Sequence, residues 1–133
     1  MQTSIRKVTG LFSILAMLFI PLSTHAASEK AFDAKAFKAA QEAGKPILIE
    51  IHADWCPTCK QQAPILSELL ARPEFKDYTV LRVNFDTQKD VRQTLRVAQQ
   101  STLIVYRGKR EVARSIGDTS KHSIAATLRK GLS

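Results

Sequence analysis

Cysteine is almost missing from this chain: there are 2 in 133 residues, both inside the segment Cys56-Pro57-Thr58-Cys59. That scarcity excludes a scaffold stapled by several disulfides. It also argues against a structural zinc site, which needs four ligands: no second cysteine pair exists, His52 and Asp54 alone lie near, and His122 is far along the chain. Acidic residues are in short supply too, 12 against 20 Lys and Arg, for a net charge of +8. Such an excess can signal nucleic acid or anionic membrane. Here the positive residues (Lys38, Lys60, Arg72, Arg92, Arg107, Lys121) are scattered, with no basic motif interleaved with aromatics. A solvated basic surface and no nucleic-acid partner are therefore expected. Internal repeats, low-complexity runs and interdomain linkers are lacking, and a chain of this length suits one hydrophobic core.

Long apolar runs are equally scarce. The one present, Leu11 to Leu22, is broken only by Ser13 and Pro21, follows Arg6 and Lys7, and precedes Ser23-Thr24-His25-Ala26-Ala27. It is shorter than the roughly 20 residues of a comfortable membrane span. A positive start, a short apolar run and small residues are the order of a secretory signal peptide. Cleavage after Ala26 puts Thr24 and Ala26 at the two small-residue positions. The expectation is a cleavable signal peptide at residues 1–26 and one domain at residues 27–133, with an uncleaved anchor as the alternative. Removal takes away Arg6, Lys7 and no acid, lowering the net charge by two. The expected location is the periplasm, where disulfides persist.

Past that segment, Ala27 to Ala43 reads as a helix, with Phe32, Ala36, Ala40 and Ala43 at three- and four-residue spacing, ended by Gly44-Lys45-Pro46. Ile47 to Ile51 is a β-branched apolar run of the kind a central strand shows. Pro57 suits a first helical position, and Cys59, Ala63, Leu66 and Leu70 draw the apolar face of the helix that follows. Thr79 to Phe85 is a second strand. Thr87 with Asp90 resembles a capping box for a helix through about Arg96. Thr102–Tyr106 and Glu111–Ile116 read as a hairpin around Arg107-Gly108-Lys109-Arg110. Ser120 caps a last helix, with Ile124 and Leu128 inward and Gly131 at its end. Strands alternating with helices and closing on a hairpin predict an α/β three-layer sandwich, a central mixed sheet with helices on both faces.

Cys56 falls at a helix start, where unpaired backbone N–H groups favour negative charge and lower a thiol pKa. Cys59 lies one turn on, on the apolar face. The asymmetry predicts Cys56 as nucleophile and Cys59 as the thiol that resolves the mixed disulfide. A purely structural disulfide would close a loop worth only about 2 kcal/mol. Cu(I), content with two soft ligands, is the more credible metal, with His52 as a further candidate.

The segment Ala53-Asp54-Trp55-Cys56-Pro57-Thr58-Cys59-Lys60, with Pro64 five residues after Cys59 and Gly117 after the last strand, resembles the thioredoxin family. The likeness runs from about Ala31 to Leu132. It implies a thiol–disulfide oxidoreductase of thioredoxin-like fold. It also implies a buried acid at Glu50 that takes the proton of Cys59, and Arg82 as its partner, where the family often has lysine. His52 shares a strand face with Glu50 and could tune Cys56. Trp55, Pro57, Thr58, Ser101 and Thr102 are the expected substrate contacts. Ser101 stands where the family has a cis-proline. A non-proline cis bond costs roughly 2.5–4 kcal/mol, so a trans Gln100–Ser101 bond is predicted, with the Ser101 hydroxyl facing the cysteines. No cofactor is expected. The partners implied are protein disulfides or dithiols and a membrane-bound or other exported redox protein, with the chain itself a monomer. The length from Cys56 to Asp86 leaves no room for the insertion of exported oxidases, so the resemblance is closest to small exported reductases and electron-relay modules.

Overall fold

The computed structural model describes Ala27 and residues 29–133; the expected signal peptide lies outside the described residues. The elements are β1 (Glu29–Ala31), α1 (Ala34–Glu42), β2 (Pro46–His52), α2 (Pro57–Leu70), a 3₁₀ turn (Pro73–Phe75), β3 (Thr79–Asn84), α3 (Lys89–Thr94), β4 (Thr102–Arg107), β5 (Arg110–Ile116) and α4 (Lys121–Arg129). The five strands form one sheet in the order β1-β3-β2-β4-β5. β3 runs parallel to β1 and β2, whereas β4 runs antiparallel to β2 and β5. This is the mixed sheet expected.

β2 holds the centre because its side chains fit nowhere else. Pro46 to Ile51 are all buried, and ladders on both flanks pair Glu50 with Arg82 and with Leu103. Alternation along the strand splits the core in two. Ile47, Ile49 and Ile51 pack with Leu81, Val83, Ile104 and the Ala40 and Leu95 side chains, on the face covered by α1 and α3. Leu48 faces the other way, among Leu66, Leu69, Leu103, Val105, Ile124 and Leu128, on the face covered by α2 and α4. Glu50, two residues after Leu48, points to that second face, the one carrying α2 and both cysteines.

Two expectations fail. The helix predicted from Ala27 begins at Ala34, and its first stretch is strand β1, all three residues of which are exposed. Asp33 ends the extended segment, because its carboxylate accepts the Ala36 N–H at 2.7 Å and so caps α1. The capping box at Thr87 and Asp90 is absent. Gln88 occupies the cap position without a side-chain bond. The side chain of Asn84 instead accepts the N–H groups of Asp86 and Thr87, both at 3.0 Å. That turn satisfies amides ahead of the helix, not those of its first turn that a Thr87 cap would have served. The Ser120 cap of α4 is present, accepting from the Ser123 N–H at 3.3 Å.

Candidate active site

The site is built at the junction between β2 and α2. After His52 the chain turns, and the Cys56 N–H donates to the Ala53 carbonyl at 3.1 Å. Cys56 is the N-cap of α2 and Pro57 opens the helix, where its missing N–H costs nothing. The Cys56 sulfur does the work of a capping oxygen, accepting the Cys59 N–H at 3.1 Å.

Both cysteines are free thiols, and each is 1 % exposed, so exposure does not distinguish them. Their surroundings do. Burial pushes the Cys56 thiol up, but hydrogen bonds from the Cys59 and Ser101 side chains and from the Cys59 and Thr58 N–H groups outweigh it and hold Cys56 below its ordinary value. Burial pushes the Cys59 thiol up, and its contact with Cys56 pushes it further. The thiol of Cys59 lies 3.9 Å from the Ile51 carbonyl.

Ser101 faces both sulfurs, its hydroxyl 3.0 Å from Cys56 Sγ and 3.3 Å from Cys59 Sγ. The Gln100–Ser101 bond is trans, as predicted. The chain reaches this geometry by placing Ser101 at φ 59°, a left-handed conformation that costs a residue with a Cβ about 1–2 kcal/mol. Two backbone partners and one side chain hold it there. The Ser101 N–H donates to the Ile51 carbonyl at 2.9 Å, and the Ser101 carbonyl accepts from the Gly117 N–H at 3.0 Å and from Gln62 Nε2 at 3.2 Å.

Glu50 is 2 % exposed and lies on the cysteine face of β2. Arg82 donates to it through Nε at 3.2 Å and Nη2 at 3.4 Å, and also pairs with Glu29 at 2.8 Å. Burial raises the Glu50 pKa above its ordinary 4.5, and Arg82 offsets only part of that. His52 is half-buried, with Nε2 3.1 Å from Asp54 Oδ1 and a buried Nδ1 that has no partner among the described residues. Those residues hold no group of three or more metal-ligating side chains.

Trp55 is 57 % exposed beside the nucleophile candidate. Its indole N–H donates to Asp86 at 2.9 Å, and its ring meets Phe85 edge-on at 6.4 Å. Pro57 is exposed and Thr58 half-buried at the same rim. Thr102 is buried, its hydroxyl donating to the Gln99 carbonyl at 2.7 Å. Sequence reasoning missed Gln62, Asp86 and Ile116. The last is 55 % exposed at the end of β5, opposite Thr102 in the ladder.

Comparison with known proteins agrees with this geometry. The family profile described as Thioredoxin matches residues 24–130. The thioredoxin of Mycobacterium tuberculosis is 32 % identical over 108 residues, which cover 81 % of this chain and 90 % of that protein. A bifunctional thioredoxin reductase/thioredoxin of Mycobacterium leprae is 33 % identical over 96 residues, 72 % of this chain but only 21 % of that longer protein. Among solved structures, Trxlp from Edwardsiella tarda is 48 % identical with a TM-score of 0.74, covering 76 % of this chain and 98 % of that one. Profile, relatives and fold agree with a cysteine pair set at the start of a helix: the chain belongs to the thioredoxin family and is a thiol–disulfide oxidoreductase.

Proposed function

We propose that this member of the thioredoxin family is exported to the periplasm and works there as a monomeric reductase or electron relay, through a Cys56/Cys59 dithiol–disulfide couple. The observation that carries the reading is the Cys56 sulfur seated as the cap of α2, bonded to the Cys59 N–H at 3.1 Å. A helix start favours the thiolate, and the thiolate is the attacking species.

The Cys56 thiolate attacks one sulfur of a protein disulfide. The substrate S–S bond breaks, a Cys56–substrate disulfide forms, and the first substrate thiolate leaves and takes up a proton. Glu50 then accepts the Cys59 proton, since a carboxylate with a raised pKa is a better base near neutrality. The Cys59 thiolate attacks the Cys56 sulfur, the second substrate thiolate leaves, and Cys56–Cys59 becomes the disulfide. Two electrons have passed to the substrate, so a membrane-bound or other exported dithiol must return them. Trp55, Pro57 and Thr58 form the rim that meets the substrate, and the backbone beside Ser101 and Thr102 supplies its polar edge.

Support for export comes from the order of charge, apolar run and small residues in residues 1–26. The second reading, Cu(I) carried by Cys56, Cys59 and His52, has less support: Asp54 already engages His52, and no third donor joins the sulfurs among the described residues. Cell fractionation with an N-terminal sequence of the mature protein tests the export, and a protein-disulfide reduction assay tests the activity. Retention of residues 1–26 in a cytoplasmic protein would remove the first claim. Absence of turnover beside tight Cu(I) binding would exchange the second for its rival.

A further inference from the structure

Gln62 is an expensive choice for its place in α2. It is 0 % exposed, one helical turn after Cys59, where leucine or methionine would be buried without polar cost. Its amide nitrogen donates to two carbonyls outside the helix, that of Ser101 at 3.2 Å and that of Asp118 at 2.8 Å. Its Oε1 is buried without a partner among the described residues. A buried amide oxygen left unpaired is destabilising and persists where the rest of the group is needed.

What the amide holds is Ser101, and Ser101 is the strained residue of the site. At φ 59° it sits in the left-handed region, which serine keeps only when its surroundings over-determine it. Backbone bonds to Ile51 and Gly117 tie it to the sheet. Gln62 is the side chain that ties it to the helix carrying both sulfurs. Relaxation of Ser101 towards negative φ would swing its hydroxyl away from positions 3.0 and 3.3 Å from those sulfurs.

We propose that Gln62 is a positioning residue: it holds Ser101 in its left-handed conformation with the hydroxyl against Cys56 and Cys59, so that Gln62 and Ser101 act on Cys56 as one unit. This rests on the oxidoreductase reading above and deepens it. The hydroxyl donates to the Cys56 thiolate, which favours the reduced pair and makes the couple more oxidising.

The test is a double-mutant cycle on the full chain, reading the rate at which iodoacetamide alkylates reduced Cys56 at neutral pH, with mass spectrometry locating the adduct and melting temperature measured alongside. Ser101→Ala, lacking a charge-assisted hydrogen bond, is expected to slow alkylation roughly three- to tenfold. Gln62→Leu is expected to slow it comparably, and the double variant no further than Ser101→Ala alone. Gln62→Met, unbranched and close in volume, serves where the leucine variant folds poorly. Lower melting temperature with unchanged Cys56 alkylation makes Gln62 a structural residue only and overturns the proposal. So does multiplication of the two losses in the double variant. Failure of the oxidoreductase reading looks different: wild-type protein would reduce no protein disulfide while the cycle stayed non-additive.

Discussion

Strand β2 and the loop carrying Ser101 approach the same sulfur, Ile51 with its carbonyl 3.9 Å and Ser101 with its hydroxyl 3.3 Å from Cys59, yet they are built by opposite rules. β2 is a run of buried side chains laddered on both flanks, and many apolar sequences of similar volume would serve there. The loop has a non-glycine residue at positive φ, a buried hydroxyl, and a glutamine beside it with one oxygen unpaired. The strand supplies stability, whereas the loop spends some of it on reactivity. Strain and partly satisfied polar groups gather where a thiol must be tuned.

The sharpest way to test that division is at the sulfurs themselves. Cys56→Ser should abolish disulfide reduction and covalent adducts, whereas Cys59→Ser should accumulate mixed disulfides, visible on non-reducing gels. Equal adduct yields from the two variants would contradict the assignment of roles. Next in size is the strand: Ile49→Ala, at a fully buried position, should cost about 2–5 kcal/mol of stability by denaturant unfolding. Alkylation of Cys56 in the folded variant should be essentially unchanged; slower alkylation would mean that β2 also tunes the thiol.

Glu50 is the β2 side chain expected to serve both regimes. Glu50→Gln should slow resolution of mixed disulfides at least roughly tenfold in stopped-flow experiments, with little effect on their formation. Its stability effect has the opposite sign. Burial raises the folded pKa of Glu50, so the favourable contribution of the protonated carboxyl is complete below its ordinary 4.5 and is lost as pH rises through the folded value. The variant should therefore gain on wild type across that interval in pH-dependent melting, and a constant difference would deny Glu50 a raised pKa. The smallest effect belongs to the surface. Arg129→Ala, which breaks an exposed pair with Glu74, should change stability by less than about 0.5 kcal/mol and leave turnover alone.

How much of this was legible in the sequence depends on which force decided each residue. The central strand was legible because burial on both faces demands an unbroken apolar run, α2 because burial of one face imposes periodicity, and the cysteines stood out by their isolation and spacing. β1 was not, because Glu29, Lys30 and Ala31 are all exposed and show no alternation; only pairing with β3 makes them a strand. Asp33 signalled the true start of α1, but alanines on both sides at helical spacing hid it. The resemblance pointed to Ser101 as a departure, and serine made a trans bond the natural expectation. Its left-handed φ had no local signal, since tertiary hydrogen bonds fix it. Gln62 reads as a surface residue by type. Its place three residues after Cys59 and four before Leu66 was the signal for burial that residue chemistry concealed.

Arg82 divides its guanidinium between a peripheral carboxylate and an internal one. The outermost strand thereby holds a share in the buried acid of β2, because Glu29 adds negative charge that raises the Glu50 pKa. Without the Glu29 carboxylate, Arg82 would be left wholly to Glu50, and the internal acid would give up its proton more readily. The sheet's margin thus acts as ballast for the proton inventory of a buried acid two strands away.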